Sequence, residues 1–552
     1  MQQINQKSIQ TNTRLSQSLL WDLQKKYFNQ NGISAWDGQV PYYITSNPYI
    51  ANNYANVIMR FIQDYVSHNE ASIKQPFYIL ELGTGSGKFS FYLLKKLCEL
   101  QQILQLDQVK LVYVMSDFTD TNVKYWQQHP ALQIYLQQNK LDFAVYNIET
   151  SQQIKLLNNQ KTLTKKTVKN PLIVLGNYIF DTVAQDAFYV EQSKLQEVQI
   201  NLTNDTQEQD TRLDNVVTDF ACREIKLPYY QDHKLNQLLQ NYSENLTNAG
   251  FLVPVGGIRC IKNLMQLANN KLLLLSTDKG CSQTEEFSPQ LQPGIAMHGS
   301  FSMMVNFHAI GEYFKLSGGN VYQQTTCQST KTCAFMLGIN PKNLIESKLA
   351  LKNYIEELSP GDIYNIYKQI KLTDPVDGLE TLLAYLEMTD WDPHLFNLYL
   401  DYILQQLPYA DITAIQELIA GTTNIANKFY YLPGNPDTLF EIALIFISLA
   451  DWNNASYYLQ QSISYFGGCD YNLFYSALCY FCLNDIAQAH KTFRQSHNLN
   501  PDFISTQIDS ANLVNLPQYL QIFVTECTDL LQPHLQHTKP TNKRDFTQQN
   551  YI

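Results

Sequence analysis

Three glycines at alternate positions carry the sharpest chemical signal in this sequence. The segment Tyr78-Ile-Leu-Glu-Leu-Gly-Thr-Gly-Ser-Gly-Lys88 runs from an apolar stretch into Gly83, Gly85 and Gly87, and a helical pattern through Leu93, Leu94, Leu97 and Leu100 follows. Glycine lets the chain turn sharply and lets a ligand approach the backbone with no Cβ in the way. A phosphate loop of the Gly-x-x-x-x-Gly-Lys-Ser/Thr type needs a glycine where Leu82 stands and a hydroxyl where Phe89 stands, so the pattern speaks against a Mg²⁺-nucleotide site. A dinucleotide loop needs its third glycine three residues after the second, and here the interval is two. What remains is acidic-x-Gly-x-Gly-x-Gly starting at Glu81, with Thr84 and Ser86 in the gaps.

Two polar strand ends follow in order. Val112-Tyr-Val-Met-Ser-Asp117 closes on a carboxylate, which can accept from both hydroxyls of a ribose. Asp142-Phe-Ala-Val-Tyr-Asn147 closes on an amide, whose oxygen can accept from an exocyclic amino group. Phe118 and Ile148, next to these ends, belong to the same candidate set.

Such groups need a scaffold. Apolar β-rich runs at Phe77–Leu80, Val109–Met115, Asp142–Tyr146, Leu172–Leu175, Phe188–Val190 and Lys271–Ser276 alternate with helical stretches, which predicts an α/β fold with a mostly parallel, Rossmann-like sheet and helices on both faces. Residues 1–75 read as a mostly helical cap and 76–340 as the α/β domain. From Pro341 the strand signal fades and an all-α region extends to 531, with a polar tail over 532–552. Within that region Ala455 and Leu459 recur 34 residues later as Ala489 and Phe493, and Leu439, Ala443 and Phe446 recur as Leu473, Ala477 and Tyr480. Residues 436–503 therefore resemble tetratricopeptide repeats, in which small alanines let paired helices approach closely.

The chain has 552 residues, 45% hydrophobic and 16% charged, with a formal net charge of −11. That composition excludes a disordered chain, and its acidity argues against nucleic acid as a partner. The longest apolar stretch, Leu439–Ala450, contains Glu441 and is too short to span a bilayer. The N-terminal residues lack the apolar core of a signal peptide, and the cysteines are scattered, so a cytoplasmic setting without a membrane is expected.

The loop and its two strand ends resemble motif I and the following motifs of class I S-adenosylmethionine-dependent methyltransferases. Several segments resemble one branch, the MidA family, which includes a mitochondrial arginine methyltransferase that assists assembly of respiratory complex I. Tyr43-Ile-Thr-Ser-Asn-Pro48 is similar to its Thr-Ser-Pro entry, and Asn177-Tyr-Ile-Phe-Asp181 to its Asn-Glu-Phe-Phe-Asp segment. Leu272-Leu-Leu-Leu-Ser-Thr-Asp-Lys-Gly280 is similar to its strand ending Asp-Tyr-Gly, Val305-Asn-Phe307 to its Val-Asp-Phe, and Phe335-Met-Leu-Gly-Ile339 to its Met-Gly-Ile. The sequence departs from that family in two places: Thr84 and Ser86 stand in a loop that reads Gly-Pro-Gly-Arg-Gly there, and Tyr178 replaces a glutamate.

The resemblance implies that S-adenosyl-L-methionine is held by Glu81, Gly83, Thr84, Gly85, Gly87, Asp117, Phe118, Asn147 and Ile148, with Thr45 and Ser46 covering it. Asn177 and Asp181 would face the acceptor, with Asp181 taking up its proton. By residue type alone, Asp181 reads nearly as well as a helix N-cap. The implied acceptor is a nitrogen of a protein, arginine among the candidates, docked through the repeats. A cofactor-binding scaffold without catalysis and a small-molecule methyltransferase are the competing readings. His298 and His308 read as satisfied loop histidines, and Cys479 and Cys482 as core packing, with no metal site expected.

Overall fold

The structure is a computed structural model that describes residues 7–36, 43–204, 211–324, 330–357, 361–363, 365–366, 378–501 and 523. The expected tail, 532–552, lies outside the described residues. The chain divides into two compact units, Met1–Asp374 and Pro375–Ile552.

The first unit is built on a sheet whose strands we number along the chain: β1 (Phe77–Leu82), β2 (Leu111–Asp117), β3 (Leu141–Val145), β4 (Leu172–Leu175), β5 (Leu272–Cys281), β6 (Asn320–Gln323) and β7 (Thr330–Leu337). Their spatial order is β6-β7-β5-β4-β1-β2-β3, and the short strand Val305–Asn306 adds to β5. Strands β3 to β5 on this path are mutually parallel, while β7 runs antiparallel to β5 and β6 antiparallel to β7. Every residue of β1, β2, β4 and β7 is buried, as expected of a sheet covered on both faces. Tyr78, Leu80 and Leu82 pack in one cluster with Ile258, Ile261 and Leu264 of the helix Val255–Leu267. On the other face, helix α1 (Pro48–His68) starts at Asn47, whose side chain accepts from the Ile50 N–H at 3.1 Å, and its Tyr65 ring meets Phe77 edge-on.

Starting from β1, the chain lays β2 and β3 to one side and then returns to place β4 on the other. The connections after β1 and β4 therefore part, and a crevice opens beyond the carboxyl ends of those two strands.

Two expectations need correction. Residues 7–14 form a strand rather than part of a helical cap, and Phe188–Val190 lies outside the parallel sheet. Both belong to a second sheet, wholly antiparallel, that joins Lys7–Arg14, Asp186–Glu191, Lys194–Asn204, Val216–Glu224 and Ala249–Val253. Lys7–Arg14 reads Lys-Ser-Ile-Gln-Thr-Asn-Thr-Arg, so no apolar alternation announced it; it is a strand because residues 199–204 pair with it. The helical remainder of the cap is present at Leu19–Asn31, here α2 for reference, and in α1.

Among its described residues, the second unit has helices and no strand. Thr438–Ser448 and Trp452–Phe466 form one antiparallel pair, and Asp470–Cys482 and Ile486–Leu499 the next. The equivalence is local as well as periodic. Ala450 and Asn484 take positive φ (56° and 65°), and Asp451 and Asp485 then cap the following helices through the N–H groups of Asn454 and Gln488. Ala455 and Ala489 are fully buried, and Cys479 is part of the same packing. Among the described residues no helix is long and apolar enough to cross a membrane.

A leucine at position 489 would have no room in this packing. Ala489→Leu is expected to lower the stability of the helical unit by about 1–3 kcal/mol. Denaturant titration checks this, and an unchanged midpoint would contradict the packing described.

Candidate functional site

The crevice at the sheet's reversal is a cleft enclosing ≈ 1130 Å³ of space that includes open solvent. Thr45, Ser46, Glu81, Gly83, Thr84, Gly85, Asp117, Phe118, Asn177 and Asp181 line it together. A smaller cavity shares Gly83 and Phe118 with the cleft and is lined also by Asn147 and Ile148. Twelve of the thirteen residues picked from sequence thus line one or other of these adjoining spaces, and the thirteenth, Gly87, ends the loop.

The loop's shape explains its glycines. Gly83, Gly85 and Gly87 have φ of 60°, 62° and 84°, the left-handed region that residues with a Cβ avoid. At Gly83 an added Cβ would also lie 2.5 Å from Ile179 Cδ1, so the wall opposite the loop is already in contact with it. The Trp126 indole N–H donates to the Gly85 carbonyl at 3.0 Å, and the Gly85 N–H donates to Asp117 Oδ2 at 3.3 Å. These bonds tie the loop to β2 and the helix after it.

Glu81 is buried, and its Oε2 accepts from Thr84 Oγ1 at 3.1 Å, from the Tyr113 hydroxyl at 2.8 Å and from Ser90 Oγ. Burial pushes its carboxyl up to about 7, although these three hydroxyls favour the ionised form. Asp117 is similarly buried; its Oδ1 accepts from the Thr119 N–H at 2.9 Å and its Oδ2 also takes the Asn122 amide at 3.4 Å. Burial raises this carboxyl too. A carboxylate has about four acceptor positions, so Asp117 retains capacity for a ribose hydroxyl. Asn147 has a different occupation from the one expected. Its oxygen accepts from the backbone N–H groups of Glu149 (3.0 Å) and Thr150 (3.3 Å), which fills both lone pairs and fixes the turn after β3.

On the β4 side, Asn177 Oδ1 accepts from the Tyr54 hydroxyl at 2.7 Å and the Thr277 N–H at 3.0 Å. Its Nδ2 and the Oδ1 of Asp181 are buried without a hydrogen-bond partner among the described residues. Asp181 does not cap a helix: the chain turns there and continues to the strand Asp186–Glu191. Tyr178, at φ 46°, lines the cleft at the position where the resembling family has glutamate.

The cleft lining outside the sequence candidates includes Lys279, His298, Ser300 and Ser302. The last three sit on a hairpin, Ile295–His298 and Ser300–Met303, that is tied to the site by the Met303 N–H donating to the Asp181 carbonyl at 3.1 Å. His298 makes contacts through both ring nitrogens, with Ser302 Oγ at 3.1 Å and Ser300 Oγ at 3.2 Å, and burial lowers its pKa. These residues lie close together in the sequence, but nothing in it placed the hairpin over the cleft. His308 is remote in role: its Nδ1 meets the Tyr242 hydroxyl at 2.7 Å in an aromatic cluster.

Residues 55–292 match the model of a family described as "Putative S-adenosyl-L-methionine-dependent methyltransferase". The matched stretch contains the glycine loop, Asp117, Asn147 and the Asn177–Asp181 turn. The α/β unit is therefore of the methyltransferase class, with S-adenosylmethionine as its cofactor. No curated protein matches the chain. Two crystal structures from Burkholderia thailandensis are similar over 62% of this chain. One is of an uncharacterized protein (13% identity, 90% of that chain, TM-score 0.32); the other is of a protein of the same superfamily bound to S-adenosyl-homocysteine (12% identity, 91% of that chain, TM-score 0.34). At such scores the fold rests on the strand order described above.

The residues present fit that cofactor. The three left-handed glycines leave backbone exposed to a ligand, Asp117 has free acceptor capacity, and Asn177 and Asp181 each hold out a buried polar atom. Gly83→Ala should weaken binding of S-adenosylhomocysteine about tenfold or more, since a Cβ is strained at this φ and meets Ile179. Calorimetry checks this, and unchanged affinity would remove Gly83 from the site.

A second expectation concerns Glu81, whose carboxyl rises from 4.5 to about 7 on folding. The folded state then binds more protons than the unfolded one between those values, so this group's stabilisation is complete below about pH 4.5 and is lost as pH rises through 7. Glu81→Gln should flatten the stability–pH curve across that window by up to about 3 kcal/mol relative to the parent. Denaturant titrations at pH 5 and pH 8 measure the difference, and equal slopes in both proteins would refute the burial argument.

Proposed function

We propose that this methyltransferase moves a methyl group to a nitrogen of a protein acceptor, and that it is related to the MidA family. The observation that carries the reading is the single cleft in which the glycine loop and Asp117 face Asn177 and Asp181 across the sheet's reversal. When bound, S-adenosylmethionine supplies a sulfonium-activated methyl group. The protein's part is alignment. Gly83, Gly85 and Asp117 hold the cofactor from the β1–β2 side, with Thr45 and Ser46 closing over it. Phe118 and Ile148 offer apolar surface for a flat base, while Asn147 shapes that pocket through its turn. From the β4 side the Asn177 amide donates, and Asp181 orients the acceptor nitrogen and receives its proton.

The helical unit supports a protein as the acceptor. Its 34-residue helical pairs resemble tetratricopeptide repeats, stacks of which commonly form extended binding surfaces. One observation favours a second reading, a scaffold that binds cofactor without catalysis: Tyr178 stands where the resembling family has a carboxylate that would pair with a guanidinium.

Labelled-methyl transfer to a cell lysate separates these readings. The parent protein should label a discrete acceptor, and Asp181→Ala should reduce the rate about 10²–10⁴-fold, the usual share of a positioned proton acceptor. Its affinity for S-adenosylhomocysteine should stay within about threefold, as expected for a residue that serves the acceptor side. Failure of the parent to bind either form of the cofactor would overturn the enzyme reading; binding without transfer would favour the scaffold.

A further inference from the structure

Asp181 has a carboxyl neighbour that the sequence did not single out. Asp278 lies on β5, next to the turn that carries Asp181. The Asp181 N–H donates to Asp278 Oδ2 at 3.3 Å, and the Asp278 Oδ1 accepts from the Lys279 N–H at 2.8 Å. Asp278 is fully buried, and Asp181 is 7% exposed on the cleft wall.

Among the described residues, the surroundings do not neutralise two negative charges. Lys279 is exposed and contributes from the cleft side. Lys331, the register partner of Asp278 on β7, has its ammonium 2.6 Å from Glu286. From α1 the neighbour is Tyr54, a phenol that burial keeps neutral. From the hairpin it is His298, which burial disposes to the neutral form. Glu81 and Asp117 on the opposite wall are acids. Two adjacent buried carboxyls in such a place cannot both ionise.

We propose that Asp181 and Asp278 act as one proton-sharing pair: Asp278 retains a proton and donates it as a hydrogen bond to Asp181, and Asp181 presents the pair's single negative charge to the acceptor. This deepens the methyl-transfer reading and rests on it. Asp278 is a positioning residue, since it acts through Asp181. The proton balance follows. The acceptor nitrogen forms its N–C bond as the methyl's bond to sulfur breaks, with that electron pair staying on sulfur. The N–H proton so released goes to Asp181, and the pair passes from one negative charge to none. The acceptor class is thereby narrowed to a nitrogen with a proton to give up, cationic or neutral, and a thioether or a tertiary amine is excluded.

Burial pushes Asp181 up to about 7, and burial together with the charge of Asp181 holds Asp278 well above the usual carboxylate range. The pair should therefore show one ionisation near neutrality. Carbon-13 NMR of protein labelled at aspartate carboxyls reads it without any reaction. One carboxyl should titrate near pH 7 in the parent; in Asp181→Asn that signal is lost, and Asp278, relieved of the neighbouring charge, should titrate lower than in the parent. In Asp278→Asn, whose amide can replace the donated hydrogen bond, the midpoint should stay within about half a pH unit. In Asp278→Ala, which loses that bond, it should rise by about one unit or more. The acid limb of methyl transfer should follow the same order, with affinity for S-adenosylhomocysteine unchanged.

Two ordinary carboxylates titrating below pH 5, or a midpoint that drops by a unit in Asp278→Asn, would overturn the pair, because either means that Asp278 is ionised. Those results alongside active methyl transfer would leave the reaction standing. The expected titration without methyl transfer by the parent would overturn the catalytic role and the methyl-transfer reading together. If Asp278→Ala fails to fold, the Asn variants decide.

Discussion

Everything at this site depends on the reversal of strand order between β1 and β4. Parallel neighbours whose connections leave in opposite directions cannot close the space above their carboxyl ends, so a crevice forms there whatever the side chains. The glycine loop fills one rim because β1 ends in it. The Asn177–Asp181 turn fills the other because β4 ends in that. The two rims meet where Gly83 faces Ile179, which sets the spacing between them. The strands that carry these rims, β1, β2 and β4, are buried throughout.

The same burial sets the electrostatics. Glu81, Asp117, Asp181 and Asp278 are four acids withdrawn from water around one cleft, and desolvation raises every one of them. Their environments then separate them. Glu81 and Asp117 are surrounded by hydroxyl and amide donors. Asp181 has a carboxyl oxygen left without a partner, and its backbone N–H donates to another acid, Asp278. A carboxyl in that position is poised to exchange a proton, whereas one held by several donors is poised to hold still.

The chain also shows how an element can be invisible to periodicity. Lys7–Arg14 carries one large apolar residue, Ile9, and owes its conformation to the strand beside it. Asp186–Glu191 reads locally like another parallel strand, yet it pairs antiparallel with Lys194–Asn204 because β4 is followed by a turn with no crossover helix. His298, Ser300 and Ser302 are close neighbours in the sequence, but their place at the cleft depends on a hairpin held by the Asp181 carbonyl.

The sequence alone determined what local chemistry can encode: three glycines that require left-handed φ, acids and amides at strand ends, and alanines repeating at 34 residues. It even contained Asp278, without a reason to give it a role. Only the tertiary structure decided which of these groups meet. It occupied the Asn147 oxygen with its own turn, ruled out a helix cap at Asp181, and set Asp278 beside that residue from a strand almost a hundred positions away. The reason is physical. Backbone conformation is written in neighbouring residues, whereas desolvation and carboxyl pairing arise between segments that only the packed sheet brings together.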